Sequence, residues 1–442
     1  MEKDDGLAAS AQGARTAGTV LVVGANGFLA GHVIAALRRQ GWQVIRAARQ
    51  GDRPLAADER ECDLTRMISP EAWTPLLDGV DAVINLAGIL RETRTQRFDV
   101  IHHDAPLALA KACVAANVPV FIQISALGEP ADGGFIASKH RFDEALLALP
   151  LRAVVLRPSV VYATSGSYGG TSLLRALAAM PGGPWLPGYG QWRIQPIAVE
   201  DLGELIARTL GSDASDLFEV GGPAPITLET YQQQWRRWLR LPTGKTRHVP
   251  EWLASLTVAI SEWTGRGPLG ATMWRMLRRG NVTATDAGAR LQAAFGVRPQ
   301  ALDAVLARQS SQVQDRWQAQ LYFLVPALKW MVVALWLISA WAGWTTPASA
   351  IEAMAVGTPL ASWQPVLLAR VGGVLDAVLG LWLLSGWRPR AAVMAMILLV
   401  CAYTVSLGIG LPRAWLDPLG GLAKNLVLLP ALGMLWVLID RR

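Results

Sequence analysis

Two hydrophobic rhythms divide the chain. Up to about residue 320, short apolar runs such as VLVV, DAVIN and FIQI alternate with stretches whose apolar residues recur at helical spacing, as in HVIAALRRQ. Strand-sized runs alternating with amphipathic helices predict an α/β domain built on a doubly wound parallel sheet. Beyond that point the apolar stretches lengthen. Phe323–Gly343, Val366–Gly386, Ala391–Leu411 and Leu419–Ile439 each reach the roughly 20 residues that a helix needs to cross a bilayer. The pattern predicts a loose tail over residues 1–17, then an α/β domain over 18–320 whose smaller substrate lobe lies mainly in 160–320, then an all-α four-helix transmembrane bundle over 321–442.

Composition mostly excludes alternatives. With 52% hydrophobic and 17% charged residues and a mean hydropathy of +0.29, the chain is too apolar to be largely disordered or an ordinary soluble protein. The net charge of +7 is scattered among Trp and Leu rather than gathered in a basic tract, which points to membrane lipid and away from nucleic acid. Cys62, Cys113 and Cys401 form no CxxC or Cys/His cluster, so neither a disulfide framework nor a metal site is expected. The opening MEKDDGLAASAQGARTA has no apolar core of the kind a secretory signal needs. Arg308 and Arg316 precede the first span, Arg388 and Arg390 separate the second and third, and Arg441 and Arg442 end the chain, whereas the segment between the first two spans has no Lys or Arg. By the positive-inside rule, both termini and the α/β domain are expected in the cytoplasm, on a multi-pass protein of the inner (cytoplasmic) membrane. Trp341, Trp344, Trp363, Trp387 and Trp415 fall near span ends, as an aromatic belt would.

TVLVVGANGFLAGHVIAALRRQGWQVIRAARQ reads as strand, glycine turn, helix and second strand, the context in which a glycine fingerprint holds a dinucleotide. Gly24 permits the tight turn, Gly27 lets backbone approach a pyrophosphate, and small Ala30 allows helix and strand to pack closely. Amides at the helix N-terminus, around Asn26, Phe28 and Leu29, then face the phosphates. Where an acid at the end of the second strand would favour NAD, this sequence has Arg46 and Arg49, with Asp52 slightly later. An arginine fork pairs well with a 2′-phosphate, so NADP(H) is expected ahead of NAD(H), the alternative being two solvated arginines. Asp63 in CDLT is placed for an adenine contact, and DAVINLAG puts Leu86, Ala87 and Gly88 just past a buried strand, where ligands of open parallel sheets gather.

In chain order, GANGFLA, DAVINLAG, FIQISALG, FIASK, VVLRPSVVY and RIQPIAVEDLGELI resemble the extended and atypical short-chain dehydrogenase/reductase family, which implies a Rossmann-like fold. MLRRGNV and the helix after it resemble the branch containing the NADPH-carrying accessory subunit of respiratory complex I and related ubiquinone-linked proteins; the resemblance covers about residues 18–307. It implies that Ser125 and Lys139 hold catalytic positions and that Lys139 and Pro158 contact the cofactor. The family's YxxxK tyrosine is replaced here by Phe135. A phenol exchanges a proton with a carbonyl or alcohol during hydride transfer and a phenyl ring does not, so binding is expected to survive where chemistry is weakened. Tyr162, Tyr168 and Tyr189 are the candidate replacements, and His102 and His103 are expected as one packed and one solvated imidazole.

Further on, Arg236, Arg237, Arg240, Lys245 and Arg247 are mixed with Trp235, Trp238, Trp252, Trp263 and Trp274. Such a segment fits either helices lying at a membrane surface or lobe helices whose aromatics face their own core. ALWLISAWAGW, VLDAVLGLWLLSG and WLDPLGGLAKNLVLL resemble the DoxX-like family of small four-helix membrane proteins, which implies a redox setting. Arg370, Asp376 and Lys424 inside the spans are costly in lipid unless paired or wet, so Asp376 is expected to meet Lys424 or Arg370. The combined expectation is a membrane-tethered NAD(P)(H)-binding oxidoreductase acting on a lipophilic quinone or isoprenoid, with quinone or respiratory-chain proteins as partners. The alternative is a non-catalytic NADPH-binding structural, assembly or redox-sensing membrane protein.

Overall fold

A computed structural model describes residues 17–49, 54–263, 270–417 and 421–439, so residues 1–16 of the expected tail, and Asp52, lie outside the described residues. The chain forms two compact units that divide between Ala319 and Gln320.

The first unit is organised by seven strands: β1 (Gly18–Val23), β2 (Trp42–Ala48), β3 (Glu59–Glu61), β4 (Ala82–Asn85), β5 (Val120–Ile124), β6 (Arg152–Pro158) and β7 (Leu217–Val220). They lie in the order β7-β6-β5-β4-β1-β2-β3, every neighbouring pair parallel. AVIN of β4 and VFIQI of β5 are buried at every residue, as central strands covered on both faces must be. Successive residues of β1 feed opposite faces. Val20 and Val22 pack with helices α1 (Phe28–Arg39) and, later in the chain, Val199–Thr209, while Leu21 and Val23 pack with α2 (Ala105–Ala115) and α3 (Gly134–Leu147). In α1, Ala30, Val33, Ile34 and Leu37 form one buried stripe, and Arg38 and Arg39 sit favourably at its negative C-terminal end. Strand order reverses at β1, which has β2 on one side and β4 on the other, so a crevice opens beyond the carboxyl ends there.

The smaller lobe is framed by three short strand pairs, Val161–Tyr162 with Ile197–Ala198, Arg193–Ile194 with Ile226–Thr227, and Trp185–Pro187 with Arg247–Val249. Tyr162, Leu186, Tyr231, Trp235 and Trp238 fill its core. The mixed Trp/Arg segment is not uniform. In α5 (Leu228–Trp238), which follows α4 (Val199–Thr209), the aromatics face the lobe's own core, and Arg236 donates to the carbonyls of Pro242, Ala178 and Met180. Helix α6 (Glu251–Trp263) instead leaves Trp252 and Trp263 exposed, and α7 (Ala271–Arg279) buries Trp274 against Trp192.

The second unit is helical. Among the described residues three helices, α8 (Val313–Thr345), α9 (Pro365–Ser385) and α10 (Pro389–Gly410), are long and apolar enough to cross a membrane, and only 17–28% of their most apolar windows is buried within the protein. The fourth expected span corresponds to α11 (Leu422–Leu438), which begins after Gly421 with a 3₁₀ turn, contains Pro430 and is shorter than the other three as described; Leu419, where that span was expected to start, lies outside the described residues. Val333, Trp336, Leu383, Met396, Leu432 and Leu435 pack together at the centre. The expected ion pair is not formed. Asp376 accepts a hydrogen bond from Ser339 Oγ at 2.5 Å, and Lys424 is exposed. Arg370 donates to the carbonyls of Gly343 (2.6 Å) and Thr346 (2.9 Å), because carbonyls at the C-terminal end of α8 lack helical partners and attract a cation.

Candidate active site

Beyond the carboxyl ends of β1, β2 and β4 lies a cavity of about 1120 Å³. The glycine turn, Arg49, Cys62 and Asp63 line it, together with Leu86, Ala87 and Gly88. Gly24 adopts φ +79°, and a Cβ there would stand 2.8 Å from both N and Cα of Ala87, so only glycine lets the turn lie against the segment after β4. Gly27 caps α1 and donates its N–H to Gly24 O at 2.9 Å. Near a Cβ at Gly27, the protein atom within reach among the described residues is Gly24 O at 3.2 Å, which leaves the space in front of this backbone to a ligand. Exposed Asn26 lies in the same turn, Phe28 stacks on Tyr168 with ring centroids 6.1 Å apart, and Leu29 packs on the core rather than lining the cavity.

The two arginines have separate fates. Arg46 donates through Nε and Nη2 to Asp58 at 3.1 and 3.0 Å and bridges Glu59 at 3.1 Å, so its fork is committed to the sheet edge. The same bond to Arg46 holds the Asp58 carboxyl below its ordinary value. Arg49 is exposed and lines the cavity, and it alone of the pair is placed to meet a nucleotide phosphate. Asp63 Oδ1 accepts from the backbone N–H of Thr65 (3.1 Å) and its hydroxyl (2.8 Å). Asn85 donates to Gln123 Oε1 at 2.8 Å and accepts from Ala87 N–H at 3.1 Å, which fixes the Leu86–Gly88 segment. A turn that exposes helix N-terminal amides, a basic side chain and an acid in one crevice fits a dinucleotide.

The positions expected for catalysis converge beside this cavity, with an unexpected arrangement. Ser125, just past β5, donates its hydroxyl to Asp143 Oδ2 at 2.7 Å, and Arg157 Nε donates to the same oxygen at 2.8 Å. Burial raises the Asp143 carboxyl above its ordinary value, opposed by the Ser125 and Arg157 contacts; Asp143 Oδ1 has no partner among the described residues. Lys139 is buried on α3 and donates to Ile124 O at 3.0 Å; burial pushes its ammonium down to about 8, with Asp143 pulling the other way. Phe135, one turn earlier, lines the cavity, its ring 5.9 Å from Lys139 Nζ. A Cβ on Gly88 would stand 3.4 Å from Lys139 Nζ and 3.6 Å from His102 Nε2, so both groups sit directly behind that wall.

His102 is the residue whose importance the sequence hides. It lies in a π-helical turn, Val100–Asp104, where its Nε2 accepts from Ile89 N–H at 3.0 Å and its Nδ1 pairs with Ser138 Oγ at 2.9 Å. Burial, reinforced by Lys139, pushes it down to about 2, so it is a neutral brace between α3 and the cavity wall. His103 is partly exposed beside Asp104 at 2.8 Å. Of the candidate tyrosines, Tyr168 lines the cavity. Tyr162 is sealed in the lobe core with its hydroxyl raised by burial, and Tyr189 is exposed next to His248. Pro158 ends β6 away from the lining and accepts from Leu127 N–H at 3.0 Å. Asn281 of MLRRGNV holds the same loop, donating to Leu127 O at 3.2 Å and accepting from Ser159 Oγ at 2.5 Å. Arg91, Phe98, Thr272 and Met273 complete the lining from segments far apart in sequence, which no local pattern connects.

Comparison with known proteins agrees with this architecture. Residues 20–214 match the NAD dependent epimerase/dehydratase family and residues 327–435 match the DoxX-like family. The chain carries an epimerase or short-chain dehydrogenase type of NAD-binding Rossmann domain followed by a C-terminal DoxX-like domain, and its three long apolar helices indicate membrane association. It is similar to a curated ceramide reductase of Caulobacter vibrioides (strain NA1000 / CB15N), 31% identical over 189 residues that make up 42% of this chain. That match spans 58% of the relative's length. Among solved structures, gox2253 (TM-score 0.50, 19% identity, 65% of this chain and 95% of that one) shares the fold. So does the Bordetella bronchiseptica enzyme WbmH in complex with NAD+ (TM-score 0.50, 14% identity, 66% and 96%).

Proposed function

We propose that the protein is a membrane-bound, NADPH-preferring reductase of a carbonyl on a ceramide-like lipid. The observation that carries this reading is the composition of one cavity: Gly24, Gly27 and Arg49 line it together with Leu90, Phe98, Phe135 and Met273, so a phosphate cradle and apolar walls share a single space. At about 1120 Å³ it exceeds the roughly 300–1,000 Å³ of ordinary small-molecule sites, which suits a cofactor together with part of a lipid. The resemblance to a ceramide reductase and the apolar helices of the second unit point the same way. When bound, the reduced nicotinamide supplies a hydride to the carbonyl carbon, and the carbonyl oxygen then needs a proton. Phe135 has none to give, so Tyr168, the tyrosine on the cavity wall, is assigned as the donor. A neutral His102 and a buried Lys139 hold the wall behind Gly88 in place. NADPH is favoured over NADH through Arg49. The second unit lies in the inner membrane with both termini in the cytoplasm, as the Arg388 and Arg390 loop favours.

The test uses the full chain in lipid nanodiscs, with NADPH oxidation followed against a ceramide-type ketone, a ubiquinone, an isoprenoid aldehyde and no acceptor. Turnover with the lipid ketone, reduced about a hundredfold or more in Tyr168→Phe, supports the proposal. Turnover with the quinone or the isoprenoid alone replaces the substrate class, and a respiratory-chain partner then becomes the next question. A second reading, an NADPH-binding structural, assembly or redox-sensing protein without turnover, is favoured by Phe135 and by the commitment of the Ser125 hydroxyl to Asp143. NADPH binding with no acceptor reduced establishes that reading. Phe135→Tyr then gains activity only if the remaining machinery is competent.

A further inference from the structure

Helix α6 (Glu251–Trp263) has a sharply divided surface. Its buried residues are Val258 and Ser261, which mark the side that packs on the domain. Trp252, Leu253, Leu256, Ile260 and Trp263 are exposed, Trp252 by 68% and Trp263 by 88%. At about 100° per residue these five fall within one arc of about 100°, away from Val258 and Ser261. Single exposed apolar side chains are ordinary on a protein surface, but five on one helical face with tryptophan at each end mark an interaction surface.

The surrounding charge selects the partner. Glu251 lies 3.6 Å from Arg278, and Glu262 lies 3.8 Å from Arg91, so both acids of the helix face cations of the domain. Helix α7, which packs beside α6, exposes Arg275, Arg278 and Arg279; Arg278 is shared with Glu251 and Arg279 with Asp132 at 2.8 Å, and Arg275 is bonded to no acid among the described residues. An apolar face with terminal tryptophans and neighbouring arginines suits the headgroup layer of an anionic bilayer. The same chain carries three helices long and apolar enough to cross a membrane, and insertion of these would keep a bilayer at high effective concentration for this domain.

We infer that α6 lies along the surface of an anionic bilayer with Trp252, Leu256, Ile260 and Trp263 inserted among the lipids. The docked helix is joined to the cofactor cavity. Arg91 and Glu262 line that cavity, and Arg91 donates to Ser261 O at 3.1 Å and Ser261 Oγ at 2.7 Å. A lipid substrate therefore enters the cavity from the bilayer side of α6. This last step rests on the lipid-reductase proposal; the docking itself does not.

The experiment uses the full chain in nanodiscs with Cys401→Ser, which removes the exposed native thiol and leaves the buried Cys62 and Cys113. An environment-sensitive fluorophore is attached at Leu256→Cys, or at Lys111→Cys as an exposed control on α2. NADPH titration checks that each variant is folded. In phosphatidylcholine discs containing phosphatidylglycerol, the label at position 256 is expected to emit to the blue of the control, and spin-labelled lipid should quench it severalfold more strongly. Both differences should shrink in neutral discs and in Arg275→Glu with Arg278→Glu. A label at 256 that is quenched by aqueous iodide like the control overturns the docking, as does one shielded from lipid and iodide alike, which would assign the face to a second copy or another protein. For entry, Trp252→Gln with Trp263→Gln should raise KM for the bilayer-resident ketone without changing KM for a short soluble ketone or the affinity for NADPH. Equal effects on both ketones overturn the entry route while the quenching result stands. Absence of turnover on either ketone fails the reductase reading alone.

Discussion

Two glycines of one turn predict opposite kinds of damage. At Gly24 an alanine Cβ meets Ala87 N and Cα at 2.8 Å, both backbone atoms in a covered part of the cleft, and the residue must also hold φ +79°. The left-handed setting costs a non-glycine residue about 1–2 kcal/mol, and the forced shift of neighbouring backbone resembles core overpacking at about 1–3 kcal/mol. Gly24→Ala is therefore expected to lose about 2–5 kcal/mol and to lower the melting temperature of the first unit by roughly 5–10 °C. At Gly27 the backbone has an ordinary φ of −76°, and the nearby protein atom is Gly24 O at 3.2 Å. Gly27→Val is expected to melt within a few degrees of the wild type while its branched side chain fills the space before the helix N-terminus. Losing even one charge-assisted bond from an amide to the pyrophosphate, about 1.5–3 kcal/mol, weakens NADPH about ten- to hundredfold. Differential scanning fluorimetry and NADPH calorimetry on the full chain in nanodiscs separate the two effects. A Gly24→Ala protein that melts like the wild type, or a Gly27→Val protein with unchanged affinity, refutes this account of the turn.

Arg49→Ala should lower the preference for NADPH over NADH by about tenfold or more, whereas Arg46→Ala should leave it unchanged because Arg46 already serves Asp58 and Glu59; calorimetry with both nucleotides checks this, and equal losses contradict it. Lys139 titrates at about 8 in the fold against 10.5 ordinarily, so the unfolded chain holds the extra proton between those values and stability from this residue rises with pH across that window. The buried thiols Cys62 and Cys113, pushed up to about 12, act in the opposite direction above about 9, so the measured quantity is the wild-type melting temperature minus that of Lys139→Met; a difference that stays flat from pH 8 to 10.5 is the failing result. In the membrane unit, a cycle of Ser339→Ala and Asp376→Leu should show a coupling of about 0.6–1.7 kcal/mol, whereas Asp376→Leu with Lys424→Met should be additive; coupling in the second cycle alone would restore the expected ion pair.

The parallel sheet and the glycine turn were legible because their signals are local. VLVV is a strand-sized apolar run, and GANG joins it to an amphipathic stripe within the same few turns of chain. Side-chain commitments were not local. Ser125 looked available to a substrate because its partners, Asp143 and Arg157, stand 18 residues away along the chain and across a strand pairing, respectively. Arg46 and Arg49 looked equivalent until β3 paired with β2 and brought Asp58 and Glu59 against only one of them. Arg370 and Asp376 are less than two turns apart on one helix, which suggested a pair, yet the nearest acceptors for that guanidinium were backbone carbonyls left open where α8 ends. In each case the competing partner arrives only when a second element docks. Spacing along a sequence therefore identifies the chemistry that a crevice can contain, while the contest among donors and acceptors across elements decides which of those groups faces the ligand. Phe135 is different in kind: no packing arrangement gives a phenyl ring a proton to donate, so the question it raises, where an acid would come from, was fully posed by the sequence, and Tyr168, which lines the cavity, is the donor we propose.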